Sequence, residues 1–348
     1  MIFFITFLKA LAAVLITNNH YTGIYPTDAL AKGEMVGNIL FFAVSGYLLY
    51  NVKLPFLRWY GKRLWRIYLP VVLVTGTCMA IGLYQLKPGL VSWHDFLLSV
   101  VGYQRLGKGT VTWWYLYPTY YHFVASIVVL YIPYYFCVKI QALRNNLGWL
   151  MLAIAVVWIC AYFTVFDRST NRILNTHDPF IRFMFMESML LGAWFRQNDA
   201  NVRNKGSVWF PILAVVCFAA YVVLQGALAR YKGLVTLQIV APFVNLAILY
   251  FIFRTCAGYD SKLEKLPVLA KKFVTLLSDT TLEIYLVQFV LIRLFKPMHM
   301  FPVNWFLLTV SIIISAYITH IICGFIYSGV DKLTGKGRLS APQISKRS

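Results

Sequence analysis

The sequence has few charged residues, and acidic residues are the scarcest of them. Among its 348 residues only 13% are charged and 60% are hydrophobic, and 12 Asp and Glu stand against 32 Lys and Arg. A soluble protein of this length needs a mostly polar surface, so the composition excludes an ordinary soluble globular chain. Apolar runs of about 20 residues recur, which is typical of transmembrane helices and argues against a membrane barrel.

Patterns typical of metal sites and cleavable signal peptides are also lacking. Neither a CxxC nor an HExxH-type spacing occurs, so we predict no metal site. The first residues lack a basic segment, and Lys9 interrupts the first apolar run, so no signal peptide is predicted. The cysteines are interpreted as small buried hydrophobic residues; they are Cys78, Cys137, Cys160, Cys217, Cys256 and Cys323.

The apolar runs predict an all-α polytopic membrane bundle of about ten transmembrane helices. We expect one transmembrane domain over residues 1–328 and a basic cytoplasmic tail over 329–348, with no internal repeat and no second domain. The predicted spans are about 2–20, 35–52, 67–86, 112–138, 148–166, 179–196, 208–229, 234–256, 273–295 and 303–328.

Loop charge predicts the orientation of these spans. A formal charge of +20 would suggest a nucleic-acid partner for a soluble protein, but short cytoplasmic loops of membrane proteins also collect Lys and Arg. The connectors on the N-terminal side of the membrane carry about twice as many Lys and Arg as the others. We therefore expect both termini to be cytoplasmic and no nucleic-acid partner.

A lysine and a histidine stand out in the first span, because polar groups inside a membrane are costly and usually functional. Lys9 and His20 are eleven positions apart, so an unbroken helix would place them on one face, roughly 16 Å apart. A neutral imidazole suits a general base near pH 7. The alternative is an interfacial histidine that simply marks the helix end beside Asn18 and Asn19.

The segment FLRWYGKRLWRIYLP opens the third span and belongs to an unusually basic stretch. Five cations and no acid lie between residues 53 and 66, and Arg63 and Arg66 are three apart, which places them on one helical face. Paired guanidinium groups bind phosphate well. The alternative is ordinary cytoplasmic loop charge with interfacial aromatic residues.

Acidic and aromatic residues provide further candidates. Glu187 lies in the sixth span, and Asp279 and Glu283 are four apart in the ninth, which predicts that they share a face. Glu187 and Glu283 are candidates to orient His20 or a substrate; the alternative is ion pairing between helices. Trp113, Trp114 and Tyr115 lie in an aromatic run at a predicted outer boundary, where they would either stack on sugar rings or form a membrane belt.

Taken together, these features resemble the acyltransferase-three family of integral membrane O-acyltransferases, which typically O-acetylate bacterial surface polysaccharides. The resemblance covers nearly the whole chain. It rests on Lys9 and His20, on the block FFAVSGYLL (Phe41–Leu49), on KRLWRIYLP with its Arg63 and Arg66, and on LEIYLVQF (Leu282–Phe289).

The resemblance implies an acyl-CoA donor, by default acetyl-CoA, on the cytoplasmic side of a bacterial inner membrane. The acceptor would be a polysaccharide or lipid-linked glycan on the outer side, and no metal would be required. Direct transfer and a relay through an acylated side chain both remain open.

By the same resemblance, His20 matches the essential histidine, and Lys9 occupies a position usually held by Arg. Arg63 and Arg66, with Lys62, match the acyl-CoA motif. Apart from the resemblance, Ser45 and the aromatic run Trp113, Trp114 and Tyr115 are candidates to bind the acceptor. Gln288 departs from the family, which commonly has a histidine there, and Gln cannot carry a proton.

Two other functions fit the composition. A transporter or flippase for a lipid-linked sugar would also have intramembrane charges and basic inner loops. A non-catalytic partner in envelope polysaccharide assembly is the third possibility. Release of CoA thiol from acetyl-CoA would separate an enzyme from both.

Overall fold

The computed structural model describes residues 2–28, 30–81, 103–106, 110–113, 122–165, 180–203, 206–298 and 300–333, and most of these are helical. Short helical segments cover Gln141–Asn145, Asp199–Arg203 and Asp260–Leu263, and a 3-10 helix covers Lys232–Ile239. The longer helices are α1 (Phe3–Asn19), α2 (Glu34–Leu49), α3 (Phe56–Ala80), α4 (His122–Lys139), α5 (Leu147–Thr164), α6 (Ile181–Gln197), α7 (Trp209–Arg230), α8 (Val240–Gly258), α9 (Val268–Asp279), α10 (Thr281–Phe295) and α11 (Val303–Leu333).

Each predicted span overlaps at least one of these helices. Among the described residues, four stretches are long and apolar enough to cross a membrane: Leu147–Thr164, Trp209–Leu228, Thr236–Gly258 and Val303–Leu333. The pair α9 and α10 is a fifth if it is counted as one bent span. The prediction of a helical multi-pass membrane protein is therefore confirmed, whereas ten spans and cytoplasmic termini remain predictions.

Several of these helices expose large apolar side chains. Trp149 on α5 is 72% exposed, Val223 on α7 is 70% exposed, and Phe325 on α11 is 74% exposed. In water such surfaces would be unfavourable, but hydrocarbon solvates them well. We therefore assign these helix faces to lipid.

One short hairpin departs from the all-α prediction. Strands β1 (Tyr103–Leu106) and β2 (Thr110–Trp113) pair antiparallel, with Tyr103 opposite Trp113 and Leu106 opposite Thr110. The β2 sequence TVTW consists of β-branched and aromatic residues, which favour strands. The sequence prediction did not include this hairpin, because it placed the start of a span at about residue 112 and interpreted the aromatic run as a membrane belt or a sugar-stacking surface.

The chain divides into two compact units. The first unit comprises Met1–Ile16, Gly33–Tyr60 and His122–Lys271, and the second comprises Thr17–Lys32, Gly61–Tyr121 and Lys272–Ser348. Each unit combines segments that are far apart in sequence.

Glycines allow the backbones of α2 and α6 to touch in the first unit. A Cβ on Gly46 would overlap the carbonyl oxygen of Met189, and one on Gly192 would overlap the carbonyl oxygen of Ala43. The buried hydroxyl of Tyr134 donates to the carbonyl oxygen of Gly46 at 2.5 Å. Small residues permit this close packing between membrane helices, where dispersion contacts replace the hydrophobic effect as the driving force.

A polar network in the first unit fixes the start of α1. The amide of Phe4 donates to Oδ1 of Asp260 at 2.8 Å, and Nη2 of Arg203 donates to Oδ2 of the same carboxylate at 2.7 Å. Asp199 accepts a hydrogen bond of 2.5 Å from the hydroxyl of Tyr47. The Asp260 carboxylate thereby caps the buried N-terminus of α1 from 256 positions away, as N-cap side chains do locally.

A sharp bend interrupts the ninth predicted span in the second unit. Helices α9 and α10 meet at 75°, so the expectation that Asp279 and Glu283 share one helical face is wrong. The hydroxyl of Thr281 donates to the carbonyl oxygens of Leu277 and Ser278 at 2.9 and 2.8 Å. This side chain therefore satisfies carbonyl groups near the end of α9, which makes the bend tolerable in an apolar environment.

The segment after α1 is held in place by Asn18, also in the second unit. The Asn18 amide donates to the carbonyl oxygens of Leu30 and Lys32 at 2.8 and 2.9 Å. Its Oδ1 accepts a 2.6 Å hydrogen bond from the hydroxyl of Tyr25, which in turn accepts one from the Trp305 indole. These bonds tie residues 17–32 to the beginning of α11.

Candidate functional site

His20 lies one residue beyond the end of α1, where the helix tightens into a turn. Its amide donates to the carbonyl oxygen of Thr17, three residues back, instead of four as in an α-helix. The regular 100° step used to predict a shared face with Lys9 therefore stops before His20. The regular spacing thus holds only as far as Asn19, and the shared face and the role of each residue remain predictions.

The His20 ring packs against α10. Its centroid lies 4.7 Å from that of Phe289, in an edge-to-face arrangement. Nε2 is inaccessible to solvent and makes no hydrogen bond to any described residue. A buried nitrogen of this kind is costly unless a ligand or water satisfies it, which makes this position a candidate substrate-facing site.

The neighbouring residue on α10 is also unusual. Gln288 is fully buried, and neither atom of its amide is hydrogen-bonded within the described part of the chain. Buried amides normally have partners, and exceptions often mark functional sites. The LEIYLVQF block therefore places an unsatisfied polar group beside the residue that contacts His20.

Glu283, on the same helix, pairs with a different histidine. Nδ1 of His320 on α11 lies 2.9 Å from Oε1 of Glu283, and the two side chains are 13% and 8% exposed. The prediction that Glu187 or Glu283 orients His20 or the acceptor stays a prediction. The contact with His320 has no counterpart among the candidates that the sequence offered.

The same face of α11 reaches the basic segment of α3. Tyr327, seven residues after His320, donates from its hydroxyl to the backbone carbonyl of Arg66 at 3.2 Å. Its ring also contacts that of Trp65, with centroids 6.1 Å apart. Residues seven apart share a helical face, so one stripe of α11 contacts both Glu283 and the Arg66 segment.

The phosphate-binding candidates lie together on α3. Lys62 and Arg66 are exposed, and Arg63 is half-buried. Residues 62 and 66 are one helical turn apart, and 63 and 66 are three apart, so the helix presents these cations on one side. The predicted helical spacing of Arg63 and Arg66 is therefore confirmed, while their ligand remains a prediction.

Other predicted site residues belong to the first unit. Lys9 is half-buried on α1, and Ser45 is half-buried on α2. Glu187 on α6 is only 4% exposed, and its Oε1 makes no hydrogen bond to a described residue. Glu187 and Ser45 thus belong to the first unit, whereas His20, Glu283 and Arg66 belong to the second.

The aromatic run that was predicted to contact the acceptor falls mostly outside the described residues. Trp113 ends strand β2, whereas Trp114 and Tyr115 lie beyond the described ranges. Across the part of the chain that the structure describes, no three His, Cys, Asp or Glu side chains form a group able to hold a metal ion.

The second unit thus contains three separate contacts on two helices. Helix α10 carries Phe289, which contacts the His20 ring, and Glu283, which pairs with His320. Helix α11 carries His320 and Tyr327, whose hydroxyl bonds to the Arg66 carbonyl. An imidazole and a carboxylate–imidazole pair can move protons, and guanidinium groups can hold an anion. Which substrate these groups contact remains a prediction.

Comparison with known families resolves the class of reaction. The family model Acyl_transf_3, an acyltransferase domain, matches residues 2–327. The chain belongs to the acyltransferase-3 family. The resemblance seen in the sequence is confirmed, and this acyltransferase-3 protein is a multi-pass membrane acyltransferase. Comparisons with curated proteins and with solved structures gave no match.

Proposed function

We propose that this acyltransferase-3 protein moves an acetyl or other short acyl group from acyl-CoA to a hydroxyl of a cell-surface or lipid-linked polysaccharide. The observation that supports this most is the buried, unsatisfied Nε2 of His20, packed on the helix that also carries Glu283. The reaction would take place in a bacterial cytoplasmic membrane, with the donor entering from the cytoplasm.

His20 acts as the general base in this proposal. Its Nε2 takes the proton of the acceptor hydroxyl while the oxygen attacks the thioester carbonyl. Burial keeps bulk water away from the reacting atoms, which disfavours hydrolysis of the thioester. The Gln288 amide supplies a hydrogen-bond donor on the neighbouring position of α10, although it cannot itself carry a proton.

Arg63 and Arg66 bind the phosphates of CoA, with Lys62 assisting. Guanidinium groups bind phosphate oxygens in a fork, and three cations within five residues create a strongly positive helix face. Lys9 contributes a further positive charge within the first apolar helix. Glu187, Ser45 and the aromatic residues Trp113, Trp114 and Tyr115 remain candidates for contacts with the acceptor.

The decisive experiment measures release of CoA thiol from acetyl-CoA by purified protein, with and without a glycan fraction from the envelope. We expect acceptor-dependent release, and an added acetyl mass on the glycan. His20→Ala should lower the rate by about 10²- to 10⁴-fold, the usual contribution of a general base. Acceptor-dependent transfer by His20→Ala at the wild-type rate would exclude His20 as the base.

A charge-matched pair tests the donor site. Arg66→Ala should raise KM for acetyl-CoA by about tenfold or more, because a charge-assisted hydrogen bond to phosphate is lost. Lys265→Ala removes another exposed cation from a predicted cytoplasmic connector and should leave KM unchanged. Equal effects of the two variants would indicate a general charge effect and argue against a phosphate site.

A further inference from the structure

A second imidazole, which the mechanism above leaves unused, lies in the second unit. His320 is nearly buried on α11, and its Nδ1 is fixed by the Glu283 carboxylate at 2.9 Å. A carboxylate that accepts from Nδ1 fixes the ring orientation and stabilises the positive charge of the imidazolium, as in Asp–His pairs of hydrolases. The proton to be transferred would then be on Nε2, the nitrogen that does not face Glu283.

Along the helix axes, His320 lies between Arg66, the proposed phosphate contact, and His20, the proposed base. Tyr327 contacts Arg66 and is therefore at the same height, and His320 is seven residues away along α11, or roughly 10 Å. Glu283 marks the level of His320 on α10, and Phe289, which contacts His20, is six residues further, or roughly 9 Å. A CoA arm that extends from Arg66 toward His20 therefore passes the level of His320.

The proposed reaction also includes a second proton transfer, to the leaving group. When the acceptor oxygen forms its bond to the acyl carbon, the carbon–sulfur bond breaks and the sulfur leaves with the electron pair. His20 has by then taken the proton of the hydroxyl. The thiolate needs a proton to leave as neutral CoA, and His20 faces the other reacting group.

We propose that His320, held by Glu283, is the general acid that protonates the departing CoA sulfur. This inference rests on the proposed acyl transfer and adds the fate of its leaving group. Nε2–H of the imidazolium gives its proton to the sulfur. After product release, His20 loses to solvent the proton that it took from the hydroxyl, and His320 regains a proton from solvent. The Glu283 carboxylate that pairs with His320 also interacts electrostatically with Cys323 and Tyr327 on α11, and Tyr327 interacts with Arg66 on α3.

The simplest alternative is a packing pair that only joins α10 to α11. Such a pair would affect folding and binding, and it would not respond to the chemistry of the leaving group. The test must therefore compare leaving groups as well as variants. Acetyl-CoA needs a proton on sulfur, whereas S-acetyl-4-nitrothiophenol releases a stable thiolate without one.

The experiment measures kcat and KM of wild type, His320→Gln and Glu283→Gln with both donors, together with thermal unfolding in detergent. With acetyl-CoA we expect His320→Gln to lower kcat by about 10²-fold or more, with KM nearly unchanged. With the nitrothiophenyl donor the same variant should lie within about threefold of wild type. Glu283→Gln keeps a hydrogen-bond acceptor but removes the charge. Its kcat with acetyl-CoA should therefore lie between those of wild type and His320→Gln.

The pH profile provides a second readout. Wild-type kcat should fall on the alkaline side, where the general acid loses its proton, and His320→Gln should lose that fall. A folded His320→Gln variant that is equally impaired with both donors, or fully active with acetyl-CoA, would overturn the role of His320 and leave the proposed function intact. A wild-type protein that releases no thiol with any acceptor would overturn both.

Discussion

Gly192 of α6 lies so close to Ala43 of α2 that a methyl group on Gly192 would overlap the carbonyl oxygen of Ala43. The reciprocal contact places Gly46 against Met189. Two such contacts fix the axial position of one helix relative to the other. Gly46 belongs to the FFAVSGYLL block, so part of that sequence signature is explained by helix packing.

Gly192→Ala should destabilise the protein, because backbone atoms cannot move aside as a flexible side chain can. We expect a loss of about 1–3 kcal/mol, typical of overpacking. Gly226→Ala on α7 is the matched control, since nothing lies within 4 Å of its added methyl group. Thermal unfolding in detergent should show a lower midpoint for Gly192→Ala and an unchanged or higher one for Gly226→Ala. Equal midpoints would contradict the packing argument.

Asp260→Ala should weaken the start of α1. The substitution removes the acceptor of the Phe4 amide and the partner of Arg203, which should cost about 1–3 kcal/mol. Glu264→Ala removes an exposed acid four residues later and should have little effect. Hydrogen exchange at the Phe4 amide would report the cap directly: protection that survives Asp260→Ala would show that another group satisfies this amide.

Thr281→Val should destabilise the bend between α9 and α10. The isosteric change deletes a hydroxyl that donates to two carbonyl oxygens near the end of α9, at an expected cost of about 1–2 kcal/mol. Thr319→Val on α11 deletes a hydroxyl that bonds only to a carbonyl inside a continuous helix and should cost less. Unfolding midpoints of the two variants provide the comparison, and an equal or smaller loss for Thr281→Val would argue against this role.

Tyr327→Phe should weaken donor binding without changing the chemical step. It removes the hydrogen bond to the Arg66 carbonyl but keeps the ring that contacts Trp65. We expect KM for acetyl-CoA to rise a few-fold, with kcat nearly constant. Tyr317→Phe, at an exposed position on the same helix, is the control. A fall in kcat with constant KM would instead place the Tyr327 hydroxyl in the chemistry.

The helical architecture was predictable because apolar runs of span length have few alternatives in lipid. The break within the ninth span was not predicted, although the polar run Ser278–Thr281 was a visible signal for it. That break invalidated the argument that Asp279 and Glu283 share a face, since helical spacing holds only within one continuous helix.

The candidate site was predicted in part. His20, Glu283, Arg63 and Arg66 were named from intramembrane polarity and from the family resemblance. His320 was not, because its partner Glu283 is 37 positions away and pairing between helices leaves no local spacing in a single sequence. The role of an isolated polar residue on an apolar helix is therefore best inferred by finding the polar residue on another helix that can pair with it.

The hydrogen bond from the Phe4 amide to Asp260 also constrains how the protein is made. Helix α1 is synthesised before the carboxylate that caps it, which follows 256 residues later. Until that acidic residue has been synthesised, the nascent chain must leave the amino end of α1 hydrated or bound to another group. Ribosome-bound chains truncated before and after residue 260 would thus differ in the protection of the Phe4 amide.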